Sequence, residues 1–200
     1  MKKLTLITVM WLLTILVHGP PLSWTLYAQK DTYTFTQWKC MYESKQHLAN
    51  HYEQILYERE MDLYACHLGW YESRMNWKAI NKYGYMGTWQ HGRAILKDFG
   101  LDIRPDDFRR DPSIFPPELQ YKVIIAQIKT HQIRLRKYEA YVGHTIGGVF
   151  ITHAGLLAGC HLGGFGGVTA FLYSNGSIDR SDRNGTKVSD YIKEFSIYNL

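Results

Sequence analysis

The chain has 200 residues, 46% of them hydrophobic, and a formal net charge of +5 at pH 7. This length suits one domain with a hydrophobic core and excludes two domains of ordinary size. No group of Lys and Arg is interleaved with aromatic residues, and the densest basic stretch, 129–137, has the pattern of a solvated helix face. We therefore expect no nucleic-acid partner. The mild basicity is compatible with peripheral contact with an anionic membrane or cell-wall surface.

Residues 1–28 have the organisation of a secretory signal peptide. Two lysines precede an apolar run from Leu4 to Val17, and the segment ends in the small residue Ala28. The apolar run is short for a membrane span. We therefore expect an exported protein, in the periplasm or outside the cell, whose mature domain is 29–200. An uncleaved N-terminal anchor is the alternative.

Two elements are predicted before the candidate site. Residues 29–45 are rich in Thr, Tyr and Lys and have no helical period, which predicts an extended N-terminal arm. Residues 46–58 place four apolar side chains on one helix face, which predicts an amphipathic helix packed under the next helix. These four residues are Leu48, Tyr52, Ile55 and Leu56.

The most informative stretch begins at the carboxylate Glu72. Apolar residues recur before it with a helical period, which predicts that Glu72 lies near the inner end of a helix; they are Met61, Tyr64, Ala65, Leu68 and Tyr71. The stretch that follows, 73–90, combines loop-forming Asn and Gly with large apolar residues, which is typical of a walled groove. Apolar walls disfavour the charged form of a carboxyl group and suit it to proton donation. The candidate wall residues are Tyr71, Met86 and Trp89.

The spacing over 72–90 resembles the first motif of the lytic transglycosylases of the lysozyme-like superfamily. That motif has a Glu-Ser pair, an Asn three residues after the Ser, an Ala three further on, a Ser or Asn two beyond, and a glycine-rich segment that ends in Gln. The corresponding residues are Glu72, Ser73, Asn76, Ala79, Asn81, Gly84, Gly87 and Gln90. Trp77 replaces the family's Pro and Thr88-Trp89 replaces its Leu-Met, which changes groove or packing residues and keeps the acid.

Two helices are predicted downstream of this motif. Arg93–Phe99 has the pattern of a short helix, and residues 117–141 form the longest predicted helix, with an apolar stripe expected to brace the domain. Residues 105–117 between them are a polar connector broken by prolines. Asp111 and Glu118 have the position of acids that favour the start of a helix.

A glycine-rich run follows a predicted small-residue helix, His153–Leu162, which Thr152 caps. The run resembles the family's second motif, Ala-Tyr-Asn-Ala-Gly-Pro-Gly followed by a variable residue and Val. The residues in register are Cys160, His161, Leu162, Gly163, Gly164, Gly166 and Val168. His161 replaces the Tyr and keeps a flat polar ring in the groove, as a hydrogen-bonding group toward substrate or as a proton carrier. Leu162 replaces the Asn and removes an amide.

The C-terminal region carries a third resemblance, on a helix predicted to begin at Thr186. The segment Asp190-Tyr191-Ile192-Lys193 resembles the family's Asn-Tyr-Val segment, whose tyrosine reaches toward the acid. The resemblance implies that Tyr191 donates the hydrogen bond that orients Glu72. Periodicity alone explains Tyr191 equally well as a half-buried residue of a terminal helix.

The resemblance implies a mainly α, lysozyme-like domain with a substrate groove that cleaves the bond between N-acetylmuramic acid and N-acetylglucosamine in peptidoglycan. Glu72 then acts first as acid and afterwards as base toward the 6-hydroxyl, which gives a 1,6-anhydro product. The implied partner is the glycan strand, with no cofactor and no metal ion. The implied substrate-binding residues are Ser73, Met86, Gly87, Trp89, Gln90, His161, Gly163 and Tyr191.

Three alternatives stay open at the level of sequence. Most glycosidases use two carboxylates, and only Glu72 is placed like a catalyst. A hydrolytic muramidase would use Asp98 or Asp102 to hold the attacking water. A non-catalytic wall-binding or assembly module is favoured by Leu162 and Trp89. An effector that attacks another cell's wall would share the chemistry and differ in delivery.

The three cysteines are Cys40, Cys66 and Cys160. Export makes one disulfide feasible, and an odd number leaves one thiol over. The resemblance packs the glycine-rich run beside the Glu72 segment and thereby favours a pair between Cys66 and Cys160. Three buried thiols are the alternative. A zinc site is disfavoured because Cys160-His161 are adjacent and no other cysteine has a Cys or His at metal spacing.

Overall fold

The computed structural model describes residues 35–200, and the chain divides into two units, 1–52 and 53–200. The predicted signal peptide, 1–28, lies outside the described residues. The predicted mainly α class is confirmed. The helices are α1 (Phe35–Ser73), α2 (Arg93–Asp98), α3 (Pro105–Arg110), α4 (Pro117–Leu135), α5 (His153–Tyr173) and α6 (Val188–Glu194), and short 3-10 helices cover Pro112–Ile114, Arg136–Tyr141 and Phe195–Ile197. Strands β1 (Thr145–Ile146) and β2 (Val149–Phe150) pair antiparallel, with Thr145 opposite Phe150.

In the first unit, the described residues are helical and belong to α1. The prediction of an extended arm over 29–45 is therefore wrong from Phe35 onward. The sequence has no Gly or Pro from Phe35 to Leu68, and Lys39 pairs with Glu43 one turn later, at 3.8 Å. An exposed helix of this kind needs no apolar period, which explains why the pattern did not predict it.

The predicted amphipathic helix over 46–58 is part of α1, and its predicted packing is wrong. All four residues of its predicted apolar face are exposed, namely Leu48, Tyr52, Ile55 and Leu56. Burial along α1 begins further on and then recurs every three or four residues, as the sequence predicts, at Met61, Tyr64, Ala65 and Leu68. The part of α1 that enters the core is therefore the part nearest Glu72.

The second unit contains two groups of buried apolar side chains. The larger one joins the end of α1 to α4, α5 and α6, and it includes Trp89. The smaller one lies around Met86 and collects side chains from α2, α3 and α4; its other members are Leu96, Ile103, Phe108, Phe115 and Val123. Because Met86 and Trp89 enter different groups, the loop that carries both is held from two sides.

α5 begins as predicted, because the Thr152 side chain accepts a hydrogen bond from Gly155 N at 3.0 Å. The helix continues past the predicted end at Leu162 to Tyr173, across a kink at Gly164, where φ is 66° and ψ is 172°. Within the described residues, α5 alone is long and apolar enough to cross a membrane. However, 56% of its most apolar window is buried inside the protein, so we interpret α5 as a core helix.

All three cysteines are free, so the predicted disulfide between Cys66 and Cys160 is wrong. Cys160 is buried in the larger core, whereas Cys40 and Cys66 are exposed. Cys66 follows the buried residue Ala65, and one residue turns the side-chain direction by about 100° around a helix. Cys66 therefore points away from the core that contains Cys160.

Candidate active site

α1 ends one residue after Glu72. The next two residues, Arg74 and Met75, have positive φ values of 57° and 61°, which turn the chain back. Their N–H groups donate to carbonyls in the last turn of α1, at 3.0 and 3.2 Å, and so satisfy groups that a helix end leaves free. Positive φ is energetically unfavourable for residues other than glycine, and backbone strain of this kind is found most often at functional sites.

The Glu72 carboxyl group is approached from two other helices. The Tyr191 hydroxyl, on α6, donates to Glu72 Oε1 at 2.6 Å, and His161 Nε2, on α5, lies 3.5 Å from the same oxygen. The side chain of Glu72 is 15% exposed, so it is shielded and still reaches solvent. The three segments singled out in the sequence therefore meet at one carboxyl group, and the hydrogen bond predicted for Tyr191 is present.

Tyr191 is a permanent hydrogen-bond donor in this position. Burial, followed by the neighbouring Glu72 carboxylate and their hydrogen bond, raises the pKa of Tyr191 well above its ordinary value. Tyr71, 40% exposed, packs edge-on against the Tyr191 ring with 5.2 Å between centroids. An exposed aromatic ring therefore lies against the tyrosine that donates to Glu72.

Two predicted site residues fasten the loop after Glu72 to α1. Ser73 Oγ donates to the carbonyl of Thr88 at 2.8 Å, and Trp89 Nε1 donates to the carbonyl of Ala65 at 2.7 Å. The Trp89 side chain is buried in the larger core. Ser73 and Trp89 therefore support the site from within, and Trp89 presents no ring to a ligand in this conformation.

Four other predicted site residues are engaged in packing or in hydrogen bonds within the protein. Met86 is completely buried in the smaller core. Gly87 has φ +77°, and a Cβ there would overlap the side chain of Gln120. Gln90 is half-buried and its Nε2 donates to the Gly87 carbonyl at 2.9 Å. A Cβ at Gly163 would overlap Val188, so this glycine serves the packing of α5 on α6.

Sequence reasoning missed Gln120, which organises this loop. It is fully buried on α4; its Oε1 accepts from Thr88 N at 2.8 Å, and its Nε2 donates to the carbonyls of Trp77 at 2.8 Å and Phe115 at 2.6 Å. A buried amide with three partners rigidifies the backbone that it contacts. The available signal was a Gln on the apolar face of the longest predicted helix, residues 117–141.

Sequence reasoning also missed a buried ring behind the site. His91 is buried, and its ring centroid lies 6.2 Å from that of His161. Burial, and then His161, lowers the pKa of His91 to about 3, so the His91 ring is neutral at physiological pH. His161 itself contacts the Trp89 carbonyl through Nε2 at 3.0 Å.

The carboxylates considered for a hydrolytic mechanism are engaged elsewhere or exposed. Asp102 accepts two hydrogen bonds from Arg93, at 3.2 and 2.8 Å. This hydrogen bonding lowers the pKa of Asp102. Asp98 is exposed at the end of α2.

Among residues 35–200, no group of three His, Cys, Asp or Glu side chains is arranged to hold a metal ion.

Two cavities, of about 320 and 310 Å³, lie on another part of the second unit. Both are lined by His153 and Leu200, and neither is lined by Glu72.

In comparisons with protein-family models, curated proteins and solved structures, none matches the chain. The contacts of Glu72 are therefore the observations that bear on function.

Proposed function

We propose that the chain is a peptidoglycan lytic transglycosylase with a lysozyme-like fold and a substrate groove beside Glu72. The observation that carries the proposal is the 2.6 Å hydrogen bond from Tyr191 to Glu72. It joins the first and third sequence motifs at a shielded carboxyl group. The helix that ends at this carboxyl group, the turn after it and the kinked glycine-rich helix that supplies His161 are further support.

The contacts of Glu72 suggest how one carboxyl group performs both proton transfers. Tyr191 and His161 both approach Oε1, which makes Oε1 an acceptor and leaves Oε2 to carry the mobile proton. Glu72 protonates the glycosidic oxygen as the bond to the anomeric carbon breaks, and the N-acetyl group of the substrate stabilises that carbon. The carboxylate then takes the proton of the 6-hydroxyl as this oxygen bonds to the anomeric carbon. The product is a 1,6-anhydro sugar, and Glu72 is protonated again.

The test is mass spectrometry of fragments released from purified cell wall. The variants are Glu72→Gln and, as a matched control, Glu58→Gln, which makes the same change at an exposed position of α1. We expect wild type and Glu58→Gln to release 1,6-anhydro fragments, and Glu72→Gln to be slower by about 10²- to 10⁴-fold, the usual value of a general acid.

Each contrary outcome has a distinct meaning. Unchanged release by Glu72→Gln contradicts the assignment of the acid. Fragments that have gained water identify a hydrolytic muramidase, since anhydro formation adds none. Wall binding by wild type without soluble fragments identifies a non-catalytic binding or assembly module.

A further inference from the structure

The ring of His161 lies between Glu72 and the interior of the second unit. Its side chain is 9% exposed, less than that of Glu72, so it is placed behind the carboxyl group and away from solvent. The contacts of the two ring nitrogens indicate a role for His161 other than the expected contact with substrate.

The Nε2 atom of His161 must carry hydrogen. It lies 3.0 Å from the carbonyl oxygen of Trp89, and a carbonyl oxygen only accepts. The same nitrogen lies 3.5 Å from Glu72 Oε1, a close polar contact that is longer than a hydrogen bond. Because Trp89 is itself fastened to α1 through its indole N–H, the donor is anchored to the helix that carries Glu72.

The other nitrogen, Nδ1, faces the interior and is buried without a partner in the described part of the chain. His91 lies edge-on to the His161 ring, and both of its ring nitrogens are likewise buried and unpartnered. α4 adds Gln127, whose Oε1 is unpartnered, and His131 one turn later. Burial, and then His161 and Arg134, lowers the pKa of His131 to about 4. His91 and His131, the two rings that His161 influences from this side, therefore stay uncharged at neutral pH.

We propose that His161 is a positioning residue for Glu72, and this proposal rests on the proposed function. Its ring, fixed by the hydrogen bond from Nε2 to the Trp89 carbonyl, lies against Oε1, while the Tyr191 hydroxyl donates to the same oxygen, so that Oε2 presents the proton to the substrate. His91 supports the ring from behind. His161 does not relay the proton, because loss of the hydrogen from Nε2 would leave the Trp89 carbonyl without this donor.

The kinetic test compares His161→Phe, which keeps a ring and removes the donor, with His161→Gln, which keeps an N–H donor. His153→Gln is the matched control, since His153 also contacts a carboxylate, Glu139, at 2.7 Å but at an exposed position. We expect His161→Phe to lower kcat about tenfold to a hundredfold with little change in KM, partial recovery in His161→Gln, and no effect of His153→Gln. A raised KM with unchanged kcat would show a substrate contact and overturn the proposal.

A second measurement requires no activity. Nuclear magnetic resonance of ¹⁵N-labelled histidine rings should show His161 protonated at Nε2, with a slowly exchanging proton whose resonance shifts in Glu72→Gln. The positioning role of His161 is overturned if its ring is protonated only at Nδ1, or if the resonance of the Nε2 proton is unchanged in Glu72→Gln. Failure of wild type to release wall fragments contradicts the proposed function alone, so the two failures are distinguishable.

Discussion

Tyr191 and Glu72 are 119 positions apart in the chain and share one hydrogen bond. A hydrogen bond of this kind contributes about 0.5–1.5 kcal/mol when the acceptor is a neutral carboxyl group and about 1.5–3 kcal/mol when it is a carboxylate. The bond also restricts the carboxyl group to one orientation, because the tyrosine ring is itself packed against Tyr71 and Phe195. Orientation and energy at this one contact therefore depend on the packing of α6.

Replacing Tyr191 with Phe removes the hydroxyl and keeps the packed ring. We expect kcat for wall cleavage to fall about tenfold to a hundredfold, since about 1.4 kcal/mol corresponds to a factor of ten. Tyr173→Phe is the control, because it removes a hydroxyl that donates to another tyrosine, Tyr138, at 3.2 Å. Equal activity of Tyr191→Phe and Tyr173→Phe would show that the hydrogen bond does not orient the acid.

At the scale of elements, α5 carries small residues on the face toward α6. A Cβ at Gly155 would lie 2.6 Å from the carbonyl oxygen of Ile192, and a Cβ at Gly163 would overlap Val188. The close approach of these two helices places His161 and Tyr191 on the same carboxyl group. The glycines therefore determine the geometry of the site without contacting it.

Two alanine substitutions on α5 test this packing. Gly155→Ala should lower the free energy of unfolding by about 1–3 kcal/mol, because the new Cβ meets backbone that has to move. Gly166→Ala should be neutral or should stabilise by up to about 1 kcal/mol, since its nearest neighbour would be 3.8 Å away and Ala favours helix. Urea denaturation of both variants measures the difference, and equal stabilities would contradict close packing at Gly155.

The sequence predicted the site best where the determinants are local. The helical period before Glu72, the cap at Thr152 and the motif around Tyr191 each lie within one element or one segment. The directions of Met86 and Trp89 could not be predicted, because they depend on partners from other elements. Gln120, for example, binds Thr88 across 32 positions. Apolar residues of a loop therefore entered the two cores instead of lining a groove.

At the scale of the whole second unit, buried histidines couple folding to pH. The pKa of His91 is lowered to about 3 and that of His131 to about 4, chiefly by burial, from an ordinary value of 6.5. Between these lowered pKa values and pH 6.5, His91 and His131 bind protons in the unfolded chain and remain neutral in the folded chain. Stability is therefore fully present above pH 6.5 and is lost as the pH falls toward 3.

Chemical denaturation between pH 4 and pH 7.5 measures this coupling. We expect the free energy of unfolding to fall by an amount on the order of a few kcal/mol toward acid, and His91→Phe to remove part of that dependence. His47→Phe, at an exposed position of α1, should leave the dependence as in wild type. An identical acid dependence in wild type and His91→Phe would contradict a neutral buried His91.

The three thiols are free, so no disulfide contributes to the stability of this fold. With no cross-link among Cys40, Cys66 and Cys160, packing and hydrogen bonds hold the described chain together. Burial raises the pKa of Cys160 to about 12, which keeps its sulfur unreactive toward alkylating reagents. The exposed Cys66 sits on the helix that ends beside Glu72, and it offers a natural attachment point for a fluorescent reporter of ligand binding.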